Sequence, residues 1–192
     1  QGVYTAIDRI DNEFMDHMGF TRDANLYKSV NHDANFYSTR ANGSSKGNWH
    51  DGYEKKEGLD GEWADLDDLV QWCAESDSQA LIDGAAAHFD LQEFMDWFLL
   101  VHYSDGGDSA GKNAYLYNDP LTPDYFSMTP WDFNHAWGQN WRTYRIGSGE
   151  LNSFDNRNRI FQAIHEIPAS DDELWARFTS MRTDGPYALS WM

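Results

Sequence analysis

Two polar stretches hold the side chains best suited to chemistry. SDGGDSAGKN supplies Asp105, Asp108, Lys112 and Asn113, and SMTPWDFNHAWG supplies Asp132 and Asn134. Between them, AYLYND alternates in a way that predicts a strand, and the residues leading up to Asp132 predict another. Paired as a hairpin, these strands make Asn113 the neighbour of Asp132. An amide oxygen and a carboxylate on adjacent loops, with Asp105 or Asp108 nearby, suit Mg²⁺, which takes few protein oxygens and keeps positions for water or phosphate. Phosphoryl transfer also needs a lysine on an earlier strand to offset phosphate charge, and Lys28 in NLYKSVN is placed for it. Asp105 is preferred over Asp108 as the acid that orients a nucleophile, because it follows the preceding helix most directly.

Each of these residues also has a plainer reading. Acids in a Gly-rich turn serve as turn formers, Lys28 suits an edge strand facing water, and Asp132 suits a cap. His135 has no second His at a ligand-like spacing, which favours a structural role. Trp131, Trp137 and Trp141 could stack on a base or sugar, with core packing expected of at least two. DLDD and SDDE read as solvated helix starts, and no D-x-D-x-D-G loop defines a calcium site. Asn42-Gly43-Ser44 satisfies a glycosylation sequon of a kind common by chance.

The elements that must position these groups read as strands first, then helices. GVYTAI and NLYKSVN predict strands, DRIDNEFMDHMGF has helical spacing between them, and STRANGSSKGNWHDG is an exposed loop. GYEKKE reads as a third strand or an edge. EWADLDDLVQWCAES predicts a helix burying Leu66, Leu69, Val70 and Cys73. The strongest helix is FDLQEFMDWFLLVHY, capped by Asp90, with Leu91, Phe94, Met95, Phe98 and Leu99 on one apolar face. RIFQAIHEI and DDELWARFTSM predict helices after the hairpin. The fold class is α+β.

Composition narrows the partners. The 192 residues carry 14 basic and 32 acidic side chains, a net charge of −18, which disfavours nucleic acid and anionic lipid while favouring divalent cations. With 41% hydrophobic and 16% aromatic residues the chain can fill a core. A lone cysteine, Cys73, excludes an internal disulfide framework. No run approaches the roughly 18 apolar residues of a membrane span, so no membrane insertion is expected. Starting at QGVYTAIDRID with a strand pattern under way, the sequence reads as a piece of a longer polypeptide.

Taken in order, GVYTAIDRIDNEF, NLYK, YEKKEGLDGEWADLDDLVQW, SDGGDSAGKNAYLYND, FSMTPWDFNHAWG and IFQAIHEIPASDDELWARFTSM resemble the CotH family of spore-coat-associated and secreted proteins. The family pattern runs G-x-Y-x-x-x-E-x-I-D, L-Y-K, an Asp followed by N-x-Y-L-Y, and P-W-D-x-D-x-x-x-G. The resemblance implies an atypical protein-kinase-like fold, with partial N-lobe strands over residues 1–65 and a mainly helical C-lobe with a catalytic-loop hairpin over 66–192. It implies a single domain, a fragment lacking its N-terminal part, located outside the cell or at its surface. It also implies transfer of the ATP γ-phosphoryl group, with Mg²⁺ or Mn²⁺, to Ser or Thr of a protein partner. Lys28 would contact phosphate, Asp105 would be the catalytic-loop acid, Asn113 a second metal ligand and Asp132 the metal-binding acid. The alternative within the family is a non-catalytic surface or assembly module whose acidic site is structural or holds Ca²⁺. Asp8 stands where the family has Glu, which shortens a pairing with Lys28, and Asn134 stands where it has Asp, which removes a charge from the metal site.

Overall fold

The computed structural model describes residues 9–22, 24–140, 142, 144–145 and 154–185. The strand expected at GVYTAI, Asp8 and Trp141 lie outside the described residues. Asp11 opens helix α1, Asn12–His17, by accepting hydrogen bonds from the N–H groups of Glu13 and Phe14. Strands β1, Asn25–Ser29, and β2, Tyr53–Glu57, match the two expected short strands, and a polar loop runs between them. Strands β3, Ala114–Asn118, and β4, Phe126–Pro130, form the expected hairpin.

All four strands belong to one antiparallel sheet of order β2-β1-β3-β4. β1 is a central strand: Lys28 lies opposite Glu54 on β2 and Tyr115 on β3, and Tyr115 lies opposite Thr129 on β4. The early strands and the hairpin, expected as separate groups, are therefore joined edge to edge. Lys28 is not on an edge, because β1 has hydrogen-bonded neighbours on both sides.

Alternation along the strands divides the sheet into two faces. Tyr27, Leu116, Phe126 and Met128 point into the larger core, where they join Leu66, Phe94, Trp97 and Phe161. Leu26, Tyr115 and Tyr117 point the other way and meet Ile10 and Met15 from the α1 segment. Lys28 is two residues from Leu26 and opposite Tyr115, so it shares this second face.

The larger core is built by helices α2, Ala64–Glu75; α3, Ser78–Gly84; α4, Leu91–Ser104; α5, Arg159–Glu166; and α6, Pro168–Thr183. Leu66, Leu69, Val70 and Cys73 of α2 are buried as their spacing predicts, and burial pushes the Cys73 thiol far above its ordinary pKa. Asp90 caps α4 through the Gln92 N–H, and Pro168 starts α6 where its missing N–H leaves no helical bond unmade. α4 also buries Trp97 and Val101, so its apolar surface is wider than the single predicted face. α3 was not anticipated: seven residues are too few to display a period, and its signal is the Asp77 cap on the Ala80 N–H. No helix among the described residues is long and apolar enough to cross a membrane.

Candidate functional site

The loop from Asp105 to Asn113 begins where α4 closes. Asp105 takes the left-handed conformation at φ 53°, its N–H bonds to the His102 carbonyl, and the Gly106 N–H reaches back to Val101 at 2.8 Å. This closure usually places glycine at the left-handed position. Three contacts then fix the loop. A β-carbon at Gly106 would lie 3.2 Å from the Phe133 ring, the Gly107 carbonyl accepts a hydrogen bond from Arg157 Nη1 at 2.9 Å, and the Ser104 carbonyl accepts one from the Trp137 N–H.

Asp108 is paired on both of its oxygens. His32 Nε2 lies 3.4 Å from its Oδ1, and Lys112 Nζ lies 3.0 Å from its Oδ2. The hydrogen bond from His32, followed by that from Lys112, holds the Asp108 carboxyl well below the usual carboxylate range, against the opposing effect of burial. The Asn113 amide nitrogen also approaches Asp108 Oδ2 at 3.4 Å.

Asn113 joins this acid to the second polar stretch. Its backbone carbonyl accepts from the Trp131 N–H at 2.7 Å, and its Nδ2 donates to the Asp132 carbonyl at 3.1 Å. Ser109, fully buried, donates its hydroxyl to that same carbonyl. The hairpin thus makes Asn113 and Asp132 neighbours, as the strand pairing requires. With its nitrogen turned inward, Asn113 leaves Oδ1 with no hydrogen bond among the described residues, and the exposed Asp132 carboxylate has no partner among them either.

Asn113 and Asp132 are both left-handed, at φ 58° and φ 53°. Outside glycine this conformation costs up to about 1–2 kcal/mol per residue, and less for Asn and Asp, which enter it more readily than other side chains. With Asp105 and Trp137, four non-glycine residues of this kind surround one loop.

Among the described residues no three His, Cys, Asp or Glu side chains converge as a metal-binding group. A metal ion would rest on the Asp132 carboxylate and the Asn113 oxygen, with water or phosphate completing its shell. This donor set suits Mg²⁺. Asn134 is exposed nearby without a hydrogen bond among the described residues. Lys28 Nζ lies 5.6 Å from the centre of the Tyr115 ring and makes no ion pair among the described residues, because Glu54, its cross-strand neighbour, pairs with Lys56. Half-buried His135 has an unpartnered Nδ1. Trp131 packs edge-on against Tyr115, whereas Trp137 is 66% exposed.

The acid hydrogen-bonded to Asn113 is Asp108, five residues before it. The signal was present in the sequence as Asp-x-x-x-x-Asn, the spacing of a kinase catalytic loop. Nothing local pointed to His32, which reaches Asp108 from the loop after β1.

The fold and site define an α+β protein with a strained loop-and-hairpin centre, and the chain belongs to the CotH family: residues 1–185 match the family described as CotH kinase protein. Inner spore coat protein H of Bacillus subtilis (strain 168) is 24% identical over 140 residues, covering 72% of this chain and 38% of that protein. The chain therefore spans well under two thirds of the length of this relative.

Proposed function

We propose that this chain is a metal-dependent, kinase-like phosphotransferase domain that acts on Ser or Thr of a coat or surface protein. One observation carries the reading: Asn113 and Asp132 are held together on left-handed backbone by the Asn113 Nδ2 bond to the Asp132 carbonyl, which leaves Asn113 Oδ1 and the Asp132 carboxylate uncommitted among the described residues. Mg²⁺ and ATP bound there would supply a γ-phosphoryl group with part of its charge neutralised. The chain's own residues do the rest. Lys28 offers phosphate an ammonium that makes no ion pair among the described residues. Asp108 accepts a hydrogen bond from the acceptor hydroxyl and orients it. It takes the proton late, as the new P–O bond forms and the bond to the leaving diphosphate breaks. With both its oxygens already paired, Asp108 is a weak base, which suits positioning ahead of proton removal.

Calorimetric titration of ATP in the presence of Mg²⁺ or Mn²⁺ tests this. Binding is expected only with metal, and Asp132→Ala should lower the affinity by about tenfold or more. Undiminished ATP affinity and turnover in that variant would sink the proposal. The non-catalytic assembly reading draws support from the coat-protein relative and from the exposed aromatics Trp137 and Trp175. It predicts that Ca²⁺ alone raises the melting temperature and that ATP gives no heat.

A further inference from the structure

Across His32 from Asp108 lies a cleft of about 570 Å³, lined by Tyr37, Thr39, Arg40, Ala41 and Arg157 among others. In a chain of net charge −18 its lining is unusual, because among the described residues it includes His32 and two arginines but no Asp or Glu, the nearby Asp33, Asp51 and Asp108 being paired with Ala41, Arg40 and His32. The two arginines differ in what they can still bind. Arg40 is engaged, with Nη2 at 2.7 Å from Asp51 and Nη1 on the Ser45 carbonyl. Arg157 is anchored and not used up: Nη1 holds the Gly107 carbonyl, the guanidinium lies 5.3 Å from the centre of the Phe154 ring, and Nε and Nη2 have no hydrogen bond among the described residues. A guanidinium fixed at one nitrogen and braced against an aromatic ring presents its remaining donors already oriented, which suits an oxyanion with several acceptor oxygens.

His32 belongs to both places. It lines the cleft and it touches Asp108. Resting on the phosphotransfer reading above, we infer that the cleft binds a phosphorylated Ser or Thr of the acceptor chain, close along that chain to the hydroxyl presented to Asp108. The chain's overall charge repels ordinary acidic segments, so a group that docks here must concentrate its charge. A phosphomonoester carries about −1.5 to −2 at neutral pH with three strong acceptor oxygens, where a carboxylate carries one charge on two. The preferred acceptor is thus one that already bears the product of the same reaction, and successive sites on one chain are modified more readily than the first.

The test uses fluorescence anisotropy without nucleotide, on the full chain, with three Gly/Ser peptides that carry phosphoserine, Asp or Ser at one position. Phosphoserine should bind about tenfold more tightly than Ser, with Asp between them and the preference shrinking as salt rises. Removing Arg157 would also release the Gly107 loop, so charge is instead added at Ala41, an exposed lining residue whose only hydrogen bond among the described residues is from its backbone N–H to Asp33. Ala41→Glu should weaken the phosphopeptide several-fold and Ala41→Lys should tighten it, with the Ser peptide unmoved by either. Equal affinity for all three peptides, or an Ala41→Glu protein that binds phosphopeptide like the wild type, overturns the inference. An Asp peptide that binds as tightly as the phosphopeptide overturns its phosphate specificity. Metal-dependent ATP binding without any peptide preference would leave phosphotransfer standing and remove the cleft from it. Phosphopeptide binding without ATP binding would do the reverse.

Discussion

Asp105 and Asp108 stand three residues apart in one Gly-rich loop, yet the structure gives them different surroundings. Asp105 terminates α4 at a position that favours glycine. Asp105→Gly suits that left-handed position and should leave metal-dependent ATP turnover intact, as a turnover assay would show. Asp108→Asn should abolish turnover while the protein stays folded, since the amide can keep hydrogen-bonding partners in its place. The opposite pattern, with turnover lost in Asp105→Gly and kept in Asp108→Asn, would return the catalytic role to Asp105. At this scale the sequence was readable where contacts are local. The Asn113–Asp132 approach follows from hairpin pairing, and Asp108 could have been found by counting back from Asn113. His32 and Arg157 were not readable, because each reaches the loop from a segment distant in sequence and obeys no period.

Among the elements, the long amphipathic segments were legible because a buried face repeats through them; α2 and α4 appear where spacing placed them. Short elements and loops carry less pattern. The loop between β1 and β2 read only as polar, yet it encloses Lys46, whose ammonium is buried without a hydrogen-bond partner among the described residues. Burial pushes Lys46 down to about 8, against the pull of Asp33 and Asp51. A base held below its unfolded value makes the unfolded chain the better proton binder between those two values. Stability should therefore rise as pH climbs from about 8 towards about 10.4. Lys46→Met, which removes the charge and keeps the stem, should raise the melting temperature at pH 7 by the equivalent of about 1 kcal/mol or more. The advantage should fade towards pH 10. A stability difference that stays constant across melts from pH 7 to about 10.4 would contradict burial as its cause.

For the molecule as a whole, the mixed α+β class and the order of elements could be taken from the sequence, whereas the single continuous sheet could not. Strand order is a long-range property, and a short alternating segment such as NLYKS carries no mark of how many neighbours it will have. The central placement of β1 means that Lys28→Met should leave melting nearly unchanged, since Met retains the contact with Tyr115 and forfeits only a cation–π term of about 0.5–1 kcal/mol. Metal-dependent ATP affinity should still fall about tenfold or more. A variant that melts early, or one that binds ATP normally, would place Lys28 in the framework instead of the site. The row Lys28, Tyr115, Thr129 crosses three adjacent strands, which sets the first and last backbones about 10 Å apart. That row acts as a gauge block between the lysine and the turn carrying Asp132. Its width is set by hydrogen bonds between strands, so a nucleotide bound as proposed would have to match it, and any closing motion would fall to the loops around the sheet.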